Sequence, residues 1–105
     1  MIRVSVLYPQ HEGARFDWSY YLGTHVPMVA ERFGPVAKAT AIEQGIGGGV
    51  PGAPAPFVAL AHFTFESVPA FQAAFGPHAA EILADIPRFT SITPVVQISE
   101  IRRGG

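Results

Sequence analysis

The stretch Phe57 to Glu66, F-V-A-L-A-H-F-T-F-E, constrains the fold of this chain more than any other. Its β-branched and aromatic residues predict a strand. Because side chains alternate across a strand, Phe57, Ala59, Ala61, Phe63 and Phe65 share one face and Val58, Leu60, His62 and Thr64 the other. A strand in an antiparallel sheet with one solvated face alternates cleanly between apolar and polar residues, whereas this one is apolar on both. It needs cover on both sides. Helices supply one side; the other calls for a second copy of the chain, or for an unusually apolar monomeric sandwich. Two-fold pairing is the commonest solution, so a homodimer with sheets face to face is expected.

The other elements fall around that strand. Ile2 to Tyr8 alternates Ile2, Val4, Val6 and Tyr8 against Arg3, Ser5 and Leu7 and predicts a first strand, followed by a turn from Pro9 to Ala14. Asp17 is a good N-cap, and Phe16 with Tyr21 has the spacing of a hydrophobic staple, so a helix starts there and runs to about Gly34-Pro35. Within it, Gly23 and Pro27 are anomalous, because Pro27 has no N–H for the carbonyl of Gly23. Either the helix is continuous but bent, or it stops near Gly23 and restarts with Thr24 as N-cap. Val36 to Gly45 predicts a second strand. The following G-I-G-G-G-V-P-G-A-P-A-P to Pro56 is a long loop, either a functional lid or simply an exposed, mobile one. Ser67 caps a second helical region whose inward stripe is Val68, Phe71, Phe75, His78, Ala79, Ile82 and Ile86, interrupted at Gly76-Pro77 and ended by Pro87. Thr93 to Ile101 closes the chain with a strand. The order β-α-β-β-α-β predicts an α+β, ferredoxin-like domain, a four-stranded antiparallel sheet with both helices on one face.

Composition narrows the function. At 105 residues, 49% hydrophobic and 14% charged, the whole chain is expected to form one domain with a single core. A net charge of −1 with scattered Lys and Arg argues against nucleic acid. No cysteine is present, which removes disulfides, thiolate metal sites and a thiol nucleophile together and fits a reducing compartment. No signal-peptide pattern and no apolar run near roughly 18 residues occurs, so a cytoplasmic protein with no membrane span is expected.

The chemistry then falls to histidine and tyrosine. Trp18, Tyr21, Leu22, His25 and Val29 lie on one helical stripe, so His25 points at the core. His11 lies in a polar loop. His25, His62 and His78 sit at inward or sheet-facing positions on three elements and are expected to converge between sheet and helices, where neutral imidazole serves general acid–base catalysis near neutral pH. The alternative is that each is a core histidine satisfied by a neighbour. His25, Tyr21 and His62 are the catalytic candidates, with His78, Trp18, Tyr8 and Phe75 as substrate-binding candidates. Three histidines could form a zinc triad, but no H-x-x-x-H occurs and H-A-A-E reverses the di-iron order, so no metal is expected. The glycine loop matches neither phosphate-binding motif, so no nucleotide and no cofactor is expected.

The segments G-A-R-F-D-W-S-Y-Y-L-G-T-H-V-P-M-V, P-G-A-P-A-P-F-V-A-L-A-H-F and A-F-Q-A-A-F-G-P-H-A-A-E-I-L-A-D-I-P, closed by P-V-V-Q-I-S-E, resemble the EthD family across nearly the whole chain. The resemblance implies a dimeric α+β barrel, a pocket between sheet and helices within each subunit, and a link to ethyl tert-butyl ether degradation beside an oxygenase system. His25, in the H-x-P motif, is the position it carries over best. The superfamily implied includes cofactor-free monooxygenases, isomerases and cyclases, so the expected activity is acid–base chemistry on a small hydrophobic, oxygenated ligand; the alternative is a non-catalytic accessory or carrier protein.

Overall fold

In the computed structural model, which describes residues 1–104, one antiparallel sheet carries β1 (Ile2–Pro9), β2 (Ala39–Gln44), β3 (Phe57–Phe65) and β4 (Val95–Glu100) in the order β2-β3-β1-β4. Between β1 and β2, α1 (Trp18–Tyr20) runs through a π-helical turn (Tyr21–His25) into α2 (Val26–Phe33). Between β3 and β4, α3 (Val68–Phe75) passes through a 3₁₀ turn (Gly76–His78) into α4 (Ala79–Asp85). Ile2 and Val4 of β1 and Ala61, Phe63 and Phe65 of β3 pack against Val29 and Phe33 of α2 and Ile82 of α4, so both helical runs cover one face. This is the ferredoxin-like arrangement that the alternation and turn signals predict.

The caps form as their residue types dictate. The Asp17 carboxylate accepts from the Tyr20 N–H at 3.1 Å, and Phe16 and Tyr21 stack edge to face at 5.0 Å. Ser67 Oγ accepts from the Ala70 N–H at 3.2 Å. The Gly23–Pro27 anomaly resolves as a continuous helix, in which Thr24 makes no cap and the Val26 N–H donates to the Tyr21 carbonyl five residues back. A wider turn relieves the clash of a proline ring with the carbonyl four residues before it. It also turns Leu22 out of the expected stripe, leaving it about half exposed (52%), while Tyr21, His25, Val29 and Phe33 stay buried.

Two boundaries differ from expectation. β2 starts at Ala39 rather than Val36, because Gly34 takes a left-handed φ of 63° and opens a 3₁₀ turn over Gly34–Val36. The last strand is likewise shorter, Val95–Glu100. The glycine-rich loop extends the β2–β3 hairpin: the Gly45 N–H donates to the Val58 carbonyl and the Gly48 N–H to the Ala53 carbonyl, both at 2.9 Å. A Cβ on Gly45 would collide with the Phe57 carbonyl oxygen, which is why glycine stands there.

The core has two ends. One is hydrocarbon, with Phe33 edge to face against Phe63 and Phe65 at 5.3 Å. The other is a mixed aromatic cluster of Tyr8, Tyr21 and Phe89, flanked by Phe16 and Trp18. Two hydrogen bonds hold the second end together: the Asp17 N–H donates to the Phe89 carbonyl at 2.7 Å, and the Thr90 hydroxyl donates to the Arg15 carbonyl at 2.6 Å. The start of the first helical run is thereby fixed against the chain that leaves the second.

Candidate active site

Between sheet and helices lies a cavity of about 350 Å³. Val4, Val6 and Tyr8 of β1, Ala61 and Phe63 of β3 and Val96 of β4 form its floor; Val29, Phe71, Phe75, Ile82, Leu83 and Ile86 form much of its roof. Tyr8, Tyr21 and His25 are the lining residues with polar side chains.

His25 is the last residue of the π turn and is 5% exposed. Its Nδ1 lies 2.8 Å from Oδ2 of Asp85, the last residue of α4. The Tyr20 hydroxyl donates to the other carboxylate oxygen, Oδ1, at 2.7 Å, and the Arg88 guanidinium stands 3.8 Å from it. Burial works to raise the pKa of Asp85, but the hydrogen bonds from Tyr20 and His25 outweigh it, and the carboxyl is held below its ordinary range. An ionised carboxylate only accepts, so Nδ1 carries the imidazole proton. Burial lowers the pKa of His25, more than the bond and charge of Asp85 raise it, so the ring is neutral near neutral pH. Its Nε2 then presents a lone pair. No hydrogen bond engages Nε2 among the described residues, and no fully buried side-chain nitrogen or oxygen there lacks a partner, so Nε2 reaches open space, which beside this ring is the cavity.

The tyrosines complement this base. Burial pushes the Tyr21 hydroxyl up to about 12, and burial raises Tyr8 further still, helped by the neighbouring Tyr21 hydroxyl. Both stay protonated, and Tyr21 keeps its own proton to donate. The Tyr21 ring stacks on His25 at 5.8 Å with the planes 17° apart, and Phe89 closes on His25 at 4.6 Å. A bare imidazole nitrogen backed by a carboxylate, next to phenolic donors in an apolar chamber, can take a proton from a bound molecule and stabilise the oxygen that gains charge.

The expected convergence of three histidines does not occur. His62 lies on the far face of the sheet, with Nδ1 2.9 Å from the Ser5 hydroxyl and Nε2 3.3 Å from the Glu43 carboxylate. The reason is the strand period: Ala61 and Phe63 face the helices, so His62 between them cannot. His78 sits half-buried in the 3₁₀ turn Gly76–His78 and does not line the cavity. Trp18 packs outside the chamber, 4.7 Å from Phe16 and 5.6 Å from Tyr21. Tyr8, Tyr21, His25 and Phe75 do reach the cavity. Asp85 is not among the candidates that the sequence offers. Asp85 follows the stripe residue Ile82 by one helical turn, and that spacing was the available signal. No group of three or more His, Asp or Glu side chains among the described residues is arranged to hold a metal ion, and no described helix is long and apolar enough to cross a membrane.

Fold and site together define a class: a ferredoxin-like α+β domain enclosing an apolar chamber with a carboxylate-backed histidine in its wall. The EthD domain model matches residues 10–93, and the chain belongs to the EthD family. A solved EthD-like protein from Ralstonia eutropha is 47% identical, with a TM-score of 0.89 over 97% of this chain and 94% of that one. An ethyl tert-butyl ether (EthD) family protein from Bacillus halodurans is similar in fold at 18% identity, with a TM-score of 0.66 over 96% and 98%. HapK from Hahella chejuensis shares the fold more loosely, at 12% identity and a TM-score of 0.53 over 98% and 96%. No curated protein matches the sequence.

Proposed function

We propose that this EthD-family protein is a cofactor-independent acid–base enzyme acting on a small apolar oxygenated metabolite, and that the chain works in the cytoplasm as a single domain paired with a second copy through the open faces of the two sheets. The observation that carries the reading is the His25–Asp85 pair in the wall of the apolar cavity. In such a reaction the Nε2 lone pair takes a proton from carbon beside a carbonyl. The C–H electron pair moves toward the carbonyl oxygen, which accepts a hydrogen bond from Tyr21. The imidazolium formed donates through Nδ1 to Asp85, whose charge offsets its own. Return of the proton to another carbon gives an isomer, attack of the carbanion on a second carbonyl within the molecule gives a ring, and addition to dioxygen followed by protonation gives a hydroperoxide, whose loss of water leaves a new carbonyl.

The test uses tetralone, a bicyclic aromatic ketone, in deuterated buffer. Deuterium should enter its α carbon faster with the protein than without, and His25→Gln should remove the difference. The almost wholly apolar lining supports one rival, a carrier or accessory protein for an oxygenase system such as that of ethyl tert-butyl ether degradation. Binding of tetralone with no exchange above buffer would favour that rival.

A further inference from the structure

We infer that the cavity selects an uncharged ligand with an O–H or N–H donor on a one- or two-ring apolar body, and rejects a carboxylate of the same shape. The inference rests on the cavity and its His25 base and specifies what they accept. Four observations carry it.

First, the one nitrogen of His25 left to a ligand is an acceptor, because Nδ1 is committed to the carboxylate of Asp85 at 2.8 Å. A donor on the ligand completes the chain donor–Nε2, Nδ1–H–carboxylate. A carboxylate would set lone pair against lone pair, with a second carboxylate one ring-width behind. Second, no lysine or arginine among the described residues lines the cavity. The arginine nearest the pair, Arg88, approaches Asp85 from outside, with its side chain 72% exposed. An anion in the cavity would be desolvated without a counter-charge, which proteins avoid. Third, the tyrosine hydroxyls supply hydrogen-bond donors to a neutral oxygen and stay protonated. Fourth, the size fits. An apolar cavity of about 150 Å³ holds one benzene ring, and this one, at about 350 Å³, holds a bicyclic body. Leu83, Val96 and Pro94 line the cavity on the α4–β4 side, and Leu83 and Val96 are 54% and 56% exposed. The exposed part of the lining is therefore apolar too.

The probes are naphthol, naphthoate and naphthalene, titrated into the full-length protein at neutral pH by calorimetry, with the ring signals of His25 followed by NMR. Naphthol should bind at least tenfold more tightly than either of the others and shift the His25 ring nitrogens, and His25→Phe should bring its affinity down to that of naphthalene. Naphthoate binding as well as naphthol would overturn the charge selection. Naphthalene binding as well as naphthol, or an unchanged naphthol affinity in His25→Phe, would overturn the donor contact. If none of the three binds, the cavity reading falls with the inference. Selective naphthol binding with no tetralone exchange would uphold the ligand class and dispose of the catalysis alone.

Discussion

The two faces of one sheet each hold a histidine beside a carboxylate, and the histidines are built for different ends. On the helix face, His25 is 5% exposed, ties one nitrogen to Asp85 and leaves the other to a cavity. On the open face, His62 has both nitrogens engaged across neighbouring strands, Nδ1 by Ser5 of β1 and Nε2 by Glu43 of β2, and its side chain is 24% exposed. A ring with both nitrogens held has no lone pair to offer, and its carboxylate partner is half in water. The lesson is that a histidine–carboxylate contact marks a chemical site only where burial and a vacant nitrogen accompany it.

The largest expected effect tests how unlike the faces are in packing. Phe65 is fully buried and meets Phe33 and Phe71 edge to face, both at 5.3 Å. Phe65→Ala should lower stability by about 3–5 kcal/mol in denaturant titration. Leu60→Ala, on the open face, should instead give a loss that depends on protein concentration, since a second copy is what would bury it. A large, concentration-independent loss at Leu60 would end the face-to-face pairing.

Next come the histidines themselves. His25→Ala strips the half-buried Asp85 of a partner and should lower stability by about 1–3 kcal/mol, visible as a drop in Tm, while bringing naphthol affinity down to that of naphthalene. His62→Ala should lower the stability of dilute protein by less than about 1 kcal/mol and leave naphthol binding intact. Equal effects of the two would erase the distinction between the faces.

The pH response separates them further. The pKa of His25 is lowered in the folded protein from its ordinary value of 6.5, so below that value the unfolded chain binds more protons than the folded one. The stability held above pH 6.5 is then lost as pH falls from there through the folded pKa. His25→Gln should flatten that part of the curve in a series of thermal melts. The smallest effect belongs to Glu43→Gln, whose carboxylate is 56% exposed; it should change stability by no more than about 0.5 kcal/mol.

Much of the fold was legible because it is written in short periods. Alternation in Ile2–Tyr8 and Phe57–Glu66, the Asp17 and Ser67 caps, and the proline and glycine stops are local signals with local causes. The π turn was not legible: Gly23 and Pro27 mark a helix in difficulty, but whether it breaks or widens depends on the packing of Tyr21 and His25 against Phe89. The site divides the same way. His25 announced itself by its stripe, whereas Asp85 stands sixty positions along the chain and meets it only because residues 15–17 are stitched to 89–91. For His62 the alternation by itself sets the ring opposite Phe63, away from the helices. A run of apolar neighbours says that a residue lies in a sheet, and only the strand period says on which side.

The central claim is that His25 stands as a neutral base with its lone pair on Nε2. The most direct measurement is the nitrogen NMR spectrum of the His25 ring near neutral pH, which distinguishes protonated from bare imidazole nitrogens. The account expects a proton on Nδ1 and none on Nε2, with the same pattern in His62→Ala. A proton on Nε2, either as the opposite tautomer or as a full imidazolium, would contradict it.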